Sequence, residues 1–271
     1  MRENTYGRAK RVDFIAGALD RPEIRSVLDI GCGTGAELTI PLAKWHSETT
    51  FFAVDEDERS IAAARASVDF PNLTFCLVGN LDLARRFDAA IASEVLEHVE
   101  RPEEFLAYLN DRLVPGGWLI LTTPNGYGPF EMSQIAETGL WSLGILGGLR
   151  RAKRGLTGKG AGPAADDTLA LSPHVNFFAR KDVERLLTNA GFSVEAYSPR
   201  TFLCGFGFDH LLTGEGAIAW NARVADRLPS GFTSDFMFVA RKAGVARQEQ
   251  VYRRGAYARW RGALNRRRMG I

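Results

Sequence analysis

Ser26-Val27-Leu28-Asp29-Ile30-Gly31-Cys32-Gly33-Thr34-Gly35 is the stretch on which the fold turns. Its first five residues are a short apolar strand around one acid. Three glycines at alternate positions follow. Glycine lets a backbone turn with positive φ and lets a ligand approach with no Cβ in the way. A helix predicted over 36–45 turns its partial positive N-terminus toward this loop. Strand, glycine loop and helix together make a cofactor-binding element. A dinucleotide site places its pyrophosphate at the helix start, usually with G-x-G-x-x-G spacing. Here the glycines fall at 31, 33 and 35 and acidic Glu37 comes next but one. An acid there repels pyrophosphate, so the loop points to a nucleoside-like ligand without phosphates.

Outward from the loop, the pattern repeats. A helix is predicted over 8–20, from the spacing of Val12, Ile15, Ala16 and Leu19. Further strands are expected at 49–54, 73–78, 87–92 and 118–123, with helices near 59–67 and 102–113. Pro102 suits the first turn of the latter helix, and Val114-Pro115-Gly116-Gly117 reads as a turn. Strands alternating with helices mean a doubly wound α/β fold with a parallel sheet, whose ligands sit at the carboxyl ends of the strands. Asp55, Asn80, Glu94 and Asn125 all fall just after strands. Residues 126–172 break the rhythm and read as an insertion or lid, apolar and glycine-rich and then basic. A helix over 180–190, a strand near 193–197, a helical segment around 215–228 and a strand at 233–241 complete a domain spanning 1–241. Residues 242–271 read as a basic tail.

The chain has 271 residues, 45% of them apolar and 24% charged, enough for a sizeable core without staples. Cys32, Cys76 and Cys204 are too few and too far apart for a disulfide framework or a zinc site. They fit a reducing, cytoplasmic setting, and no signal peptide or membrane span is expected. The net charge of +2 hides an asymmetry. From Arg241 to Ile271 there are ten Lys/Arg and one acid, a net of about +9, which leaves about −7 on the rest. Tyr252, Tyr257, Trp260 and Leu264 interleave with the arginines, as in a basic amphipathic helix at an anionic membrane surface. The tail (242–271) and the segment 140–154 are therefore candidates for peripheral membrane contact. The alternatives are a solvated tail and single-stranded RNA, although the near-neutral chain does not advertise a nucleic-acid partner.

Val27 to Gly35 resembles motif I of the class I S-adenosylmethionine-dependent methyltransferases. Phe87-Asp88 and Ser93-Glu94-Val95-Leu96-Glu97-His98-Val99 resemble the fourth-strand segment of the branch that includes ubiquinone-biosynthesis O-methyltransferases. Leu113 to Leu119 resembles that family's turn into strand five. The likeness covers roughly residues 25–125 and returns more weakly over 174–197 and at the final strand. It implies a Rossmann-like, seven-stranded sheet with an antiparallel last strand. It implies S-adenosyl-L-methionine as cofactor, with Gly31, Gly33 and Gly35 beside its methionine part. Asp55 matches the ribose-binding acid. Asn80 stands where many relatives carry Asp and would accept from the adenine amino group through its side-chain oxygen, with Leu81 flanking the ring. Ser93 and Glu94 match the rim near the methyl group. Asp29, Cys32 and Glu56 complete the candidate cofactor set.

Glu94, Glu97 and His98 stand at i, i+3 and i+4, which on a helical turn share one face. With the distant His174 they resemble the Mg²⁺ site of small-RNA 2′-O-methyltransferases, and carboxylates with imidazoles suit a divalent metal. The alternatives are metal-free: His98 as general base with Glu97 beside it, or a purely structural or cofactor-rim role for these residues. The expected activity is O-methylation of a small-molecule or lipid-linked acceptor. Its pocket would be covered by 126–172 and 200–228, including Phe202, Phe206, Phe208, His210 and Trp220, with Phe177 and Phe178 as further lining. The rivals are a metal-assisted RNA or sugar hydroxyl methyltransferase, a nucleotide-linked oxidoreductase on a similar fold, and a scaffold that binds the cofactor without catalysis.

Overall fold

The structure, a computed structural model, describes residues 1–142, 174–205, 207–247 and 252–269. Seven strands form one sheet: β1 (Ser26–Ile30), β2 (Thr50–Asp55), β3 (Leu73–Leu77), β4 (Phe87–Ser93), β5 (Leu113–Pro124), β6 (Phe192–Pro199) and β7 (Asp235–Lys242), in the order β3-β2-β1-β4-β5-β7-β6. Strands β1 to β5 run parallel, and β7 is antiparallel to both of its neighbours, β5 and β6. Chain order reverses beside β1, which opens a crevice between its carboxyl end and that of β4.

Alternation along the strands builds two cores. Leu28, Leu119, Leu121, Phe236 and Phe238 face one side, with Leu106 and Leu109 of α4 (Pro102–Arg112) and Val183 and Leu187 of α6 (Arg180–Asn189). Val27, Ile91, Ile120 and Val239 face the other, with Val12 and Ile15 of α1 (Arg8–Leu19) and Leu42 of α2 (Thr39–Trp45). Each fully buried side chain of this kind stabilises by about 1.5–3 kcal/mol. Asp29 has the parity of Val27, so its carboxylate enters the α1/α2 side, where Thr39 Oγ1 donates to it at 2.6 Å. A third cluster joins Ala53 and Phe75 to Ile61 and Ala64 of α3 (Glu58–Ser67). Asp57 caps α3, accepting from the Ser60 amide at 2.9 Å.

Several boundaries differ from expectation. The first helix of the glycine element begins at Thr39 rather than at 36, so the loop is followed by a turn and then a seven-residue helix. Val114–Gly117 is not a free turn but an irregularity inside β5, where the register to β4 shifts and Gly116 takes φ 76°. The expected insertion opens with α5 (Pro129–Ser142). The rest of it, from 143 to 173, lies outside the described residues, as does most of the candidate membrane segment 140–154. Further on come α7 (Phe208–Leu211), α8 (Glu215–Ala225) and α9 (Ala256–Met269). No helix among the described residues is long and apolar enough to cross a membrane.

Candidate active site

The candidate residues gather where topology places them, at the carboxyl ends of β1, β2, β4 and β5. Gly31, Gly33 and Gly35 all have left-handed φ, at 74°, 54° and 69°. The Gly31 amide donates back to Val54 O at 2.8 Å, which folds the loop over the end of β2. Buried Asp55 spans loop and helix: Oδ2 accepts from the Gly33 amide at 2.8 Å and Oδ1 from the Asp57 amide at 2.9 Å. Both carboxylate oxygens are thus tied to backbone amides at the strand end. Cys32, half-buried, packs against the cluster of Ala53, Ile61, Ala64 and Phe75. Leu81 is buried, whereas Glu56 and Asn80 are exposed at the rim.

Burial pushes Asp29 up to about 7, against the pull of Thr39 and Arg11. Arg11 was not singled out in the sequence, where it reads as a polar position of an amphipathic helix. Its guanidinium is largely buried, 3.5 Å from Glu37, and its charge acts on Asp29 and Glu94. Its Nε has no hydrogen-bond partner among the described residues. Left-handed glycines, a tethered acid, further acids nearby and one buried guanidinium suit a ligand that carries hydroxyls, a carboxylate and a positive centre.

After β4 the expected helical face is not built. Glu94 has φ 59°, the one left-handed non-glycine among the described residues, and such strain clusters at functional sites. That conformation breaks the i, i+3 spacing and sends its carboxylate toward β5 and β6. There Thr122 Oγ1 donates to Oε1 at 2.7 Å and Arg200 Nη2 to Oε2 at 3.2 Å. Arg200 also bonds Asp235 at 2.5 Å. Burial opposes the charge on Glu94, but Arg200 and Arg11 outweigh it and hold the carboxyl below its usual range. Ser93 Oγ meets Thr122 Oγ1 at 2.9 Å. Asn125, flagged by its position after a strand, is structural: its side-chain amide donates to Thr233 O at 2.7 Å and Ser230 O at 3.0 Å.

Glu97, His98 and His174 do come together, with one ligand atom of each within 4.8 Å of the others. The His98 and His174 rings meet edge to face at 4.9 Å. Asn176 makes this possible. Its side-chain amide donates to Leu96 O at 3.2 Å and Val99 O at 2.6 Å, while the amides of Val175 and Asn176 donate to Glu97 O. The distant segment is thereby hooked onto the turn after β4. Glu97 is buried and accepts from Thr123 Oγ1 at 3.1 Å. Burial, reinforced by Glu94, pushes Glu97 up to about 8. His174 Nδ1 lies 2.9 Å from Glu131 Oε1 on α5. Burial pushes His174 down, but Glu131 and Glu97 outweigh it and raise it overall.

The basic tail meets this cluster. Arg254 Nε donates to Asn176 Oδ1 at 2.8 Å and its Nη2 to Glu100 O at 2.8 Å. Tyr257 stacks on Tyr127 at 4.8 Å and Tyr252 tilts against Phe178 at 5.2 Å. Arg261, 2% exposed, reaches Glu131 Oε2 at 3.1 Å. Phe177 and Phe178 are wholly buried core residues. Phe206 lies outside the described residues, and Trp220 is about half exposed on α8.

Residues 2–197 match the family model described as a methyltransferase domain. Among curated proteins the chain resembles malonyl-[acyl-carrier protein] O-methyltransferase of Halalkalibacterium halodurans, 31% identical over 136 residues, covering 46% of this chain and 49% of that one. It also resembles the mitochondrial ubiquinone biosynthesis O-methyltransferases of Arabidopsis thaliana (35% over 105 residues, 36% of this chain and 32% of that one) and Schizosaccharomyces pombe (38% over 107 residues, 36% and 38%). The chain spans half or less of the length of these relatives. Among solved structures, the [4+2]-cyclase SpnF matches with a TM-score of 0.53 at 15% identity, over 86% of this chain and 80% of that one. The plantazolicin methyltransferase BpumL in complex with SAH matches with a TM-score of 0.52 at 16% identity, over 89% and 85%. At that identity the likeness is one of fold, and a cyclase on the same fold shows that the sheet alone does not set the reaction.

Proposed function

The chain belongs to the class I S-adenosylmethionine-dependent methyltransferases, and from that premise we propose that it methylates a hydroxyl oxygen of a small-molecule or lipid-linked acceptor. Gly31, Gly33 and Gly35 would take the methionine part of the cofactor, with Arg11 near its carboxylate. Asp55 would accept from the ribose hydroxyls, and Asn80 and Leu81 would meet the adenine. Bound there, S-adenosylmethionine supplies a methyl group on a positively charged sulfur.

The observation that carries the hydroxyl reading is the grouping of Glu97, His98 and His174 beside this site. A hydroxyl must lose its proton as the new C–O bond forms and the C–S bond breaks. Burial, with Glu94 nearby, raises Glu97 above the usual carboxylate range. His98, its Nε2 3.8 Å from Glu97 Oε1, is then the group to receive the acceptor's proton. The names of the relatives support an oxygen acceptor, since the malonyl-[acyl-carrier protein] and ubiquinone biosynthesis enzymes are both named O-methyltransferases. Calorimetry with S-adenosylhomocysteine and with NAD, followed by a methyl-transfer screen over quinols, phenols, sugars, lipid-linked glycans and amines, tests the proposal. Binding of NAD alone, or transfer only to nitrogen acceptors, overturns it.

The same grouping supports a second reading, in which a divalent ion polarises the hydroxyl. Three ligand atoms within 4.8 Å favour it, while Glu94, committed to Arg200 and Thr122, lies outside the group. Metal content of the purified protein and turnover after chelation separate the two. Peripheral membrane contact rests on Trp260, about half exposed on α9. Co-sedimentation with anionic and neutral liposomes tests that contact.

A further inference from the structure

We propose that α9 is part of the active site, with Arg261 clamping Glu131 and Glu131 fixing the ring of His174 so that Nε2 is the nitrogen presented to Glu97 and His98. The inference rests on reading those three residues as the reacting cluster. It assigns Arg261 and Glu131 as positioning residues.

The chain of contacts is continuous. Glu131 is 1% exposed and spends one oxygen on each neighbour: Oε1 on His174 Nδ1 at 2.9 Å, Oε2 on Arg261 Nη2 at 3.1 Å. Arg261 Nη1 donates to Asn265 Oδ1 at 2.6 Å, and Asn265 Nδ2 donates to His174 O at 3.3 Å. The helix thus holds both the carboxylate behind the imidazole and the backbone of the same histidine. A carboxylate at Nδ1 sets the tautomer, because the hydrogen bond made by one ring nitrogen decides the state of the other. Nε2 is then left to take a proton or a ligand.

Anchoring a tail does not require this arrangement. Tyr257 on Tyr127, Tyr252 on Phe178 and the bonds of Arg254 already fasten residues 252–257. A buried guanidinium on a buried carboxylate is costly to assemble and is a weak source of stability by itself. Its geometric product is a carboxylate that cannot turn away from His174.

The test is nuclear magnetic resonance of the full-length protein labelled with ¹⁵N-histidine. The chain has four histidines, and a His174→Gln variant identifies the ring in question. Spectra are read at alkaline pH, where the ring is neutral. Wild type should show His174 with its proton on Nδ1, in excess over the other tautomer by about tenfold, as a charge-assisted bond gives. Glu131→Leu should abolish that preference. Arg261→Met should weaken it, and Arg261→Lys should restore much of it. Affinity for S-adenosylhomocysteine, measured by calorimetry on each variant, should stay within about twofold if only the ring is released. A wild-type ring protonated on Nε2, or a ring spectrum unchanged in Arg261→Met, overturns the proposal. Failure of wild type to bind S-adenosylhomocysteine would instead overturn the cofactor reading while leaving the tautomer result in place.

Discussion

A Cβ built on Gly35 would stand 2.7 Å from Cζ of Phe75, on a residue whose φ is 69°. Alanine there meets both a backbone penalty of about 1–3 kcal/mol and a ring with little room to retreat. Gly35→Ala should therefore weaken S-adenosylhomocysteine binding by about tenfold or more, measured by calorimetry, while the protein stays folded. His98→Asn should behave oppositely. Binding should hold, and turnover with any acceptor the screen returns should fall by roughly 10²–10⁴, the usual worth of a general base. The glycines and Asp55 were legible from sequence because local backbone geometry dictates them. Arg11, Arg200 and Glu131 were not, because each gains its meaning from a partner far along the chain. Glu94 was misread in direction: residue spacing assumes a helix, and a left-handed φ is not visible in spacing.

Among elements, the strands were read most readily, since buried parallel strands are short apolar runs between breaks. Helix starts were read less well, as the loop before α2 shows: Ala36, Glu37 and Leu38 look helical but are held in a turn. The greatest gap lay in the tail. Its arginines and aromatics read alike in the sequence, but Tyr252, Tyr257 and Arg261 face the protein and leave Trp260 outward. A basic helix that binds a membrane and one that binds an acid inside its own domain have the same composition. Arg261→Met leaves buried Glu131 with His174 on one oxygen and its buried ion pair to the helix broken. It should lower unfolding free energy by about 3–5 kcal/mol in urea titrations. Arg254→Ala, which removes partners from Asn176 and from the Glu100 carbonyl, should cost about 1–3 kcal/mol by the same measurement.

At the scale of the whole molecule, the cofactor crevice is a store of unfavourable charge. Asp29 titrates near 3.8 in an unfolded chain and is pushed up to about 7 by burial. The folded protein therefore holds a proton that the unfolded chain releases between those values. The stability tied to Asp29 is full below about 4 and is lost as pH rises through about 7, with a slope of up to ~1.4 kcal/mol per pH unit. Urea unfolding of cofactor-free protein from about pH 5 to about pH 8 should show this decline. Asp29→Asn should flatten it. The bond between Glu131 and His174 has a different kind of consequence. One residue precedes and the other follows residues 143–173 in the chain, so the bond ties together the two described segments that flank them. Loop-closure cost grows only slowly with length, so the number of residues between the two tied segments can change at little cost to the framework. The segment is therefore a natural cassette. Exchanging residues 143–173 for a stretch of different sequence should leave cofactor affinity as it was, measured by calorimetry with S-adenosylhomocysteine, so that this part of the chain can change without the catalytic framework being rebuilt.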